Sequence, residues 1–367
     1  MTQPVIPSFK PTSNPEFDQF LLRWRDRVFM PAAVEPHHRN LMYKPSQQQT
    51  VINEPGVTVT MDDGEEIKLD ARHAFDKPNT RRSLVELARF LDGNENDTDW
   101  KNLIPFLKGL VLSQRKLHGS FPSKITRKAC EVGQEQIIMK AVGQPEQTGI
   151  SLRQHDVARE LMLGFHTQAV LENFQGPKLA RISRLAEQVA LMLQDQLHEN
   201  PKLEVGECDA RTDPVVLAVL LELAAERALH KHDNRDQDSW ASNYATKLLH
   251  LEGWKPTSDL EGATANEQNH ALVALIPVQN AIKMALQVNS ISHYWLGKKL
   301  KPELKSLTKL IENTAQNLRT SVGNKPRRGL QMYEQLHAMK PVEVTAQATE
   351  STPSASPAEV AKEDEQP

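Results

Sequence analysis

Apolar residues recur at helical spacing in the middle of the chain, on both sides of Gly133. The stripe before the glycine holds Ile125, Ala129 and Val132, and the stripe after it holds Ile137, Ile138 and Ala141. Steps of three and four residues place each set on one face of a helix, and glycine commonly ends a helix. The pattern predicts a helix, a tight turn at Gly133 and a second helix.

The same stripe returns further along the chain. A shift of 32 residues superposes Ile125 on Val157, and a shift of 35 residues superposes Leu117 on Leu152. Periods of this length are typical of stacked helical hairpins, because one hairpin cannot bury its own apolar stripe and shares it with a neighbour. The repeat indicates a scaffold rather than an enzyme.

The repeating unit carries a resemblance to a known family. It begins with Lys116-Leu-His118, its first helix ends at Ala129-Cys-Glu-Val-Gly133, and its second helix closes on Gln147-Thr-Gly-Ile-Ser151. This arrangement resembles a pentatricopeptide-type unit, and residues 79–251 resemble helical-repeat proteins of fungal mitochondria. The resemblance implies a location in the mitochondrial matrix. It also implies RNA (rRNA or mRNA), mitochondrial ribosomal proteins, or both, as partners.

Other local patterns complete the predicted organisation. Alternating residues on either side of Asp62-Asp-Gly64 predict a β-hairpin. The run 215–225 is apolar nearly all round and follows a cap, Asp213, and Pro214, so we expect a helix that is the most buried element. Its expected partner is 240–251. A last helical pair is expected at 271–295 and 302–320.

These patterns and the resemblance predict an all-α protein, a right-handed helical-hairpin repeat (α-solenoid) with one small β-hairpin near the N-terminus and disordered ends. The expected segments are an extended Pro-rich basic and aromatic arm (1–50), a β-hairpin segment (51–78), a helical-repeat body (79–252), a linker (253–268), a C-terminal helical pair with a basic segment (269–328), and a tail (329–367) that is acidic and disordered from about 341.

Basic residues are concentrated in two segments, although the whole chain carries a net charge of -3. Residues 298–328 contain nine Lys or Arg against two Glu. In residues 20–45, arginines alternate with Trp24, Phe29 and Tyr43. Such mixtures suit RNA, because cations neutralise phosphates and aromatic rings stack on bases. For residues 20–45, the alternative is an arm that packs on its own protein.

The pentatricopeptide resemblance adds positions inside the repeat. It implies that Ser123 and Lys124 lie near a base-facing turn, with Ala158 and Arg159 as their counterparts 35 residues later. Basic side chains there suit phosphates better than base edges. The candidate RNA-binding or partner-binding residues are Arg23, Arg25, Arg27, Lys124, Arg127, Arg159, Lys298, Lys299, Lys301, Arg327 and Arg328.

No catalytic motif occurs in the sequence. A Gly-rich phosphate loop, His-Glu-x-x-His, Gly-x-Ser-x-Gly and Cys-x-x-Cys are all missing, so we expect no enzyme, no cofactor and no small-molecule substrate. The two cysteines allow no disulfide framework, and Cys130 is expected to be a buried thiol. His37-His38 lacks a third ligand at metal spacing, so we expect no metal. We also expect no membrane span and see no clear N-terminal presequence.

Two function classes fit the sequence. The first is a non-enzymatic scaffold of mitochondrial gene expression that binds RNA or the mitochondrial ribosome as a structural or associated component. The second is a protein-only adaptor or assembly factor, which would hold a partner peptide in the solenoid groove or meet an acidic protein.

Overall fold

The structure is a computed structural model that describes residues 5–53, 55–61, 64–199, 208–251, 254, 260, 262–323 and 325–338. The protein is mostly helical, and one small antiparallel sheet is the exception. The prediction of a helical protein with a single β-hairpin is therefore confirmed within these residues. None of the described helices combines the length and apolar character that a membrane crossing requires. The acidic segment predicted from about 341 lies outside the described residues.

The N-terminal segment is helical, which makes the predicted extended arm wrong. Its elements are α1 (Pro15–Trp24), a π-helical turn (Arg25–Phe29), α2 (Met30–Ala33), α3 (Pro36–Tyr43) and α4 (Pro45–Ile52). A proline falls in the first two positions of each α-helix here. The first turn of a helix has no intrahelical partner for its N–H groups, so a proline there loses no hydrogen bond. The prolines at positions 15, 36 and 45 start helices instead of preventing them, and Pro31 lies in α2, which directly follows the π-helical turn.

An aromatic cluster holds this segment against the body. Phe17, Phe20, Trp24 and Phe29 are each at most 1% exposed. Trp24 and Phe29 lie 5.2 and 5.5 Å, ring centre to ring centre, from Phe106. Pairs at such distances contribute about 0.5–1.5 kcal/mol each beyond the burial of apolar area. The segment belongs to the hydrophobic core.

The predicted hairpin is present, formed by β1 (Thr58–Thr60) and β2 (Glu66–Lys68). The strands are antiparallel, and Val59 pairs with Ile67. Both residues point inward while their neighbours are exposed, as the period of two in a strand requires. Residues 62–63 of the predicted turn are outside the described part. A 3₁₀ turn (Ala74–Asp76) leads to the body.

The first part of the body consists of α5 (Thr80–Phe90), α6 (Asp97–Lys101), α7 (Leu103–Leu112), α8 (Phe121–Glu131), α9 (Glu135–Val142), α10 (Pro145–Thr148), α11 (His155–Leu171) and α12 (Pro177–Met192). Gly133 has φ +77° between α8 and α9, which confirms the predicted turn. The repeat is uneven, because α11 starts 34 residues after α8 (155 − 121) and α12 starts 42 after α9 (177 − 135). A Cβ at Gly164 would collide with Cys130, so this glycine lets α11 approach α8 closely, and Cys130 is buried as expected.

The second part consists of α13 (Pro214–Lys231), α14 (Trp240–His250), α15 (Ala265–Ala285), α16 (Asn289–Ser292), α17 (Trp295–Val322) and α18 (Arg328–Ala338), preceded by 3₁₀ turns at Gln196–His198 and Ala210–Thr212. The predicted cap of α13 is confirmed, since the Asp213 carboxylate accepts hydrogen bonds from the amides of Val215 and Val216. Helix α13 is buried over most of its length and packs on α14, as predicted.

Two boundaries in this part were predicted wrongly. Helix α17 starts at Trp295 and contains Pro302, which was expected to start the helix. Pro302 removes one hydrogen bond to the carbonyl of Lys298, but both residues are exposed, so water can satisfy that carbonyl. The segment placed at the start of the tail forms α18, which packs on α15 and α17.

One row of helices carries the core from the middle of the chain to its end. Helix α8 packs on α11, α11 on α13, α13 on α15, and α15 on α17. A buried polar network joins three of them: Glu222 of α13 contacts His166 Nδ1 of α11 at 2.8 Å and accepts a hydrogen bond from Asn280 of α15. Buried polar groups that satisfy one another specify how helices align. Helix α17 stands at the end of this row.

Candidate nucleic-acid interface

Helix α17 is amphipathic, and this decides which residues it presents to solvent. Its inward face carries Leu300, Leu307, Ile311 and Leu318, all at most 2% exposed. Fully burying one such side chain stabilises a fold by roughly 1.5–3 kcal/mol, so this face fixes the rotation of the helix. The opposite face carries Lys298, Lys301, Lys305 and Lys309, all exposed. We call these four residues the lysine row.

The lysine row is a single stripe along the helix. Its members are separated by three, four and four residues, which is the spacing of neighbours on one helical face. At about 1.5 Å of rise per residue, the row extends over about 17 Å. Lys299 is also exposed and lies beside the row. Of the three residues of this segment proposed from sequence, Lys298 and Lys301 share one helical face with Lys305 and Lys309, and Lys299 lies to the side of that face.

The lysine row has no internal counter-charge. In the part of the chain that the structure describes, none of its four lysines forms an ion pair. Helix α17 as a whole contains six Lys or Arg against two Glu. Four like charges on one exposed stripe repel one another slightly, and an anionic partner would reduce this repulsion.

Two exposed aromatic residues stand at the N-terminal end of the row. Tyr294 is 63% exposed and Trp295 is 53% exposed. Each precedes a lysine by four residues, Lys298 and Lys299 respectively, and the ammonium of Lys299 lies 5.3 Å from the centre of the Trp295 ring. We call Tyr294 and Trp295 the aromatic pair. The sequence analysis missed it, although Tyr-Trp four residues before Lys-Lys was a readable signal.

A glycine holds the aromatic pair at a tight corner between α16 and α17. A Cβ at Gly297 would lie 2.6 Å from the carbonyl oxygens of both Ile291 and Ser292. Only glycine allows the first turn of α17 to approach α16 this closely. Ile291 and Leu296 are buried on either side of the corner. The backbone of the aromatic pair is therefore anchored while both rings remain in solvent.

Arg327 and Arg328 bond to other helices of the protein itself. Arg328 donates two hydrogen bonds to the Glu160 carboxylate of α11, at 2.8 and 2.9 Å. Arg327 donates to Asn266 Oδ1 at 3.1 Å, and the amide of Gly329 donates to Asn269 Oδ1 at 2.9 Å. These bonds attach α18 to α11 and α15. The structure thus separates the two arginines from the lysines that the sequence grouped with them.

The N-terminal arginines also engage the protein itself. Arg25 forms an ion pair with Glu65, Arg23 lies 3.7 Å from Glu86, and Arg27 donates to the carbonyl of Asp76 at 3.4 Å. They border a cleft of about 710 Å³ whose charged lining residues are Glu16, Arg23, Arg25, Asp26, Arg27, Glu86 and Arg89. Its acidic and basic groups nearly balance, and the rings of this segment are buried.

The positions implied by the repeat resemblance are dispersed. Lys124 is exposed on α8, and Arg127 lies 3.6 Å from Glu131 on the same helix. Arg159 lies 3.7 Å from the buried carboxylate of Asp213. Ala158 is fully buried, so the implied base-facing position there is wrong. The apolar stripe of α11 places Ala158 on the core side.

Asp213 is the centre of a charged cluster that caps α13. His155 Nε2 bonds to its carboxylate, and this hydrogen bond raises the pKa of His155 against the lowering effect of burial. Burial alone would raise the pKa of Asp213, but the hydrogen bond from His155 and the charge of Arg159 lower it overall. The cluster joins α11 to α13, so Arg159 serves the fold.

One histidine cluster departs from the sequence expectation. The structure brings Glu35 beside His37 and His38, so that ligand atoms of all three lie within 4.8 Å of one another. Glu35 Oε2 is 3.2 Å from His37 Nδ1. Two imidazoles and a carboxylate are a set that zinc accepts. Glu35 and His37 are both exposed, and exposed groups of this kind often lie close together without a bound ion.

Comparisons with known proteins identify a family for this chain. The family model described as mitochondrial ribosomal protein mS27 matches residues 1–335, which include every helix up to α17 and most of α18. The chain is 27% identical over 297 residues to the small ribosomal subunit protein mS27 of Neurospora crassa, a match that covers 77% of this chain and 72% of that protein.

Proposed function

We propose, from the premise that this chain belongs to the mitochondrial ribosomal protein mS27 family, that the lysine row of α17 attaches it to ribosomal RNA. Membership of the family makes the chain a mitochondrial protein and a structural component of the mitochondrial ribosome. Its relative from Neurospora crassa is a small-subunit protein, and we propose the same subunit for this chain. We propose no catalytic role.

The observation that carries the proposal is the exposed lysine row, whose four lysines form no ion pair with any residue that the structure describes. An RNA strand presents a line of phosphates, and a straight stripe of ammonium groups can contact several of them at once. Each contact releases condensed counterions, which supplies most of the favourable free energy of such binding. Contacts of this kind position a protein on RNA without reading its sequence. This suits a structural component with a fixed place in a ribosome.

The lysine row can be tested by changing its charge alone. In the full-length protein, Lys298, Lys301, Lys305 and Lys309 are changed together to Gln, and affinity for a short oligouridylate is measured over a range of salt. The control changes Lys44, Lys68, Lys116 and Lys140 to Gln, four exposed lysines outside α17. It removes the same total charge from scattered places.

We expect the row variant to bind more than about tenfold more weakly at low salt, and the control to stay close to the wild type. Each lost phosphate contact lowers the slope of log affinity against log salt by about 0.7 for a single strand, so the slope should fall by up to about 3. Equal losses of affinity in the two variants would show that RNA binding depends on total charge alone. That result would rule out the lysine row as the binding site.

The helical-repeat architecture also remains part of the proposal. We propose that α8, α11, α13, α15 and α17 form one continuous face of a pentatricopeptide-like stack. The packing of each of these helices on the next supports this, while the uneven spacing of helix starts distinguishes it from a regular array. The domain boundaries stated from sequence stay predictions, apart from the helical N-terminal segment and the helical start of the tail.

A protein-only role is the second candidate, and one cleft favours it. A cavity of about 550 Å³ opens between α8, α11, α12 and α18, and its lining includes Ile182, Leu171 and Met332. Leu171 is 63% exposed there. A partner peptide could bury such a side chain. Association with the small subunit that depends on Leu171 and survives removal of the lysine row would favour this role over RNA binding.

A further inference from the structure

We infer that the aromatic pair, Tyr294 and Trp295, stacks on unpaired bases, so that the RNA bound along α17 is single-stranded or looped rather than fully paired. The inference rests on the proposed RNA binding by the lysine row and specifies the class of RNA. It assigns different tasks to two parts of one surface. The lysines neutralise phosphates, and the rings hold bases.

Trp295 is the most exposed of the five tryptophans. Trp24 and Trp100 are fully buried, Trp254 is 5% exposed and Trp240 is 38% exposed. Trp295 keeps 53% of its surface in solvent, directly beside Tyr294 at 63%. Adjacent large aromatic residues that a fold leaves exposed commonly mark a binding surface. The rings are available because the backbone of their corner is fixed by Gly297 and by buried neighbours.

The position of the pair relative to the lysines favours nucleic acid over protein. A nucleotide joins a flat apolar base to a charged phosphate, so a receptor for it needs a ring and a cation close together. Trp295 has the Lys299 ammonium 5.3 Å from its ring centre, and Tyr294 lies one helical turn before Lys298. A protein partner would also bury the rings, but it would have to supply acidic groups along the whole lysine row.

Unpaired RNA is favoured because a duplex hides the faces of its bases. In an A-form helix each base is stacked between its neighbours, and proteins reach mainly phosphates and 2′-hydroxyls. The lysine row alone would accept either form of RNA. The aromatic pair adds a contribution that only unpaired bases can use, and stacking contributes about 1–3 kcal/mol per base.

The test compares two RNAs and four forms of the full-length protein. The RNAs are a labelled short oligouridylate and a blunt duplex of the same length. The proteins are the wild type, Trp295→Leu, Trp295→Phe and the control Trp240→Leu. Trp240 is a close match, because it also begins a helix, is 38% exposed and has a cation, Arg227, 4.5 Å from its ring centre. It lies outside the lysine row.

We expect Trp295→Leu to weaken oligouridylate binding about fivefold or more and to leave duplex binding unchanged. Trp295→Phe should restore most of the loss, because it returns an aromatic face, and Trp240→Leu should resemble the wild type. Circular dichroism and thermal melting of each variant test whether unfolding is the cause, since Trp295 is 53% exposed and Trp240 is 38% exposed.

The contradicting results are distinct from those of the proposed function. If Trp295→Leu binds oligouridylate like the wild type while the row variant does not, stacking is overturned and the phosphate contacts stand. If Trp295→Leu keeps its RNA affinity but fails to enter the small subunit, the pair contacts a protein and the inference is overturned. If the wild type binds neither RNA, the proposed function and the inference both fall.

Discussion

Two segments of this chain both combine basic and aromatic residues, but they use them differently in the fold. Residues 20–45 and residues 294–309 both mix basic side chains with Trp or Tyr. In the first segment Trp24 is fully buried and the neighbouring arginines contact acidic groups or carbonyls of the protein. In the second segment the rings are exposed and the lysine row has no ion pair among the described residues. Composition alone cannot distinguish a docking segment from a binding surface.

What distinguishes the segments is the face on which the apolar residues lie. In α1 the aromatic residues themselves form the core-facing stripe, so their rings are buried in the fold. In α17 leucine and isoleucine form that stripe, and the aromatic pair lies outside it. A side chain can bind a partner only if it remains exposed to solvent in the folded protein. The following predictions test this distinction, in order of decreasing effect.

The largest contrast should be between the two tryptophans. Trp24→Ala removes a fully buried ring that packs on Phe20, Phe29 and Phe106, so we expect the free energy of unfolding to fall by about 3–5 kcal/mol. Trp295→Ala should change it by less than about 0.5 kcal/mol. Denaturant titration measures both. Similar losses in the two variants would mean that Trp295 also serves the core.

A smaller contrast should separate Arg328 from the lysine row. Arg328→Met keeps most of the apolar stem but removes two charged hydrogen bonds to Glu160, and both partners are largely shielded from solvent. We expect a loss of about 1.5–3 kcal/mol in the free energy of unfolding. Lys301→Met, the matched change in the row, should cost less than about 0.5 kcal/mol. A double-mutant cycle with Glu160→Gln should show that the losses of the two single variants are not additive. Additive losses would mean that Arg328 and Glu160 do not stabilise the fold through their contact.

The buried carboxyl group of Glu226 should make stability depend on pH. Burial raises the pKa of Glu226 to about 7 from an ordinary value of 4.5. The folded state therefore holds this proton more strongly than the unfolded state, and stability falls as pH rises from about 4.5 to 7. Glu226→Gln should remove this decline and raise stability at pH 8 by on the order of 1 kcal/mol. Unchanged pH dependence in urea titrations would show that Glu226 is not a source of the decline.

The smallest contrast concerns single cations. Arg25→Ala breaks a partly exposed ion pair with Glu65, so we expect a loss of less than about 1 kcal/mol in stability and no change in RNA affinity. Lys305→Ala should do the reverse, with unchanged stability and about two- to fivefold weaker RNA binding at low salt. Paired melting and binding measurements check both. A larger loss of RNA affinity in Arg25→Ala than in Lys305→Ala would indicate that the N-terminal segment binds RNA.

Local signals were enough to predict some of these elements. Helix α13 carries its cap, its first-turn proline and its apolar run within a dozen residues, and each was identified from the sequence. The turn at Gly133 and the β-hairpin are equally local. The basic character of α17 was visible as a charge excess. In each case the physical cause acts between residues that are close in the chain.

The errors arose where distant residues decide the outcome. The N-terminal segment folds back because its rings pack on Phe90 and Phe106, contributed by α5 and α7. Arg328 is paired with Glu160, 168 residues away in sequence. Such contacts leave no periodic pattern in the sequence. The aromatic pair is a different case, because its signal is local: the preceding helix was expected to end at Trp295, whereas Gly297 and the short α16 place a corner there.

The most direct test is ultraviolet cross-linking of intact small ribosomal subunits purified from mitochondria that contain the tagged protein, followed by mass spectrometry of its nucleotide-linked peptides. We predict that the adducts map to residues 294–309, with Tyr294 or Trp295 and members of the lysine row among the modified positions. Adducts confined to residues 15–44, or none on a protein that still sediments with the subunit, would contradict the assignment of α17 as the RNA-binding surface.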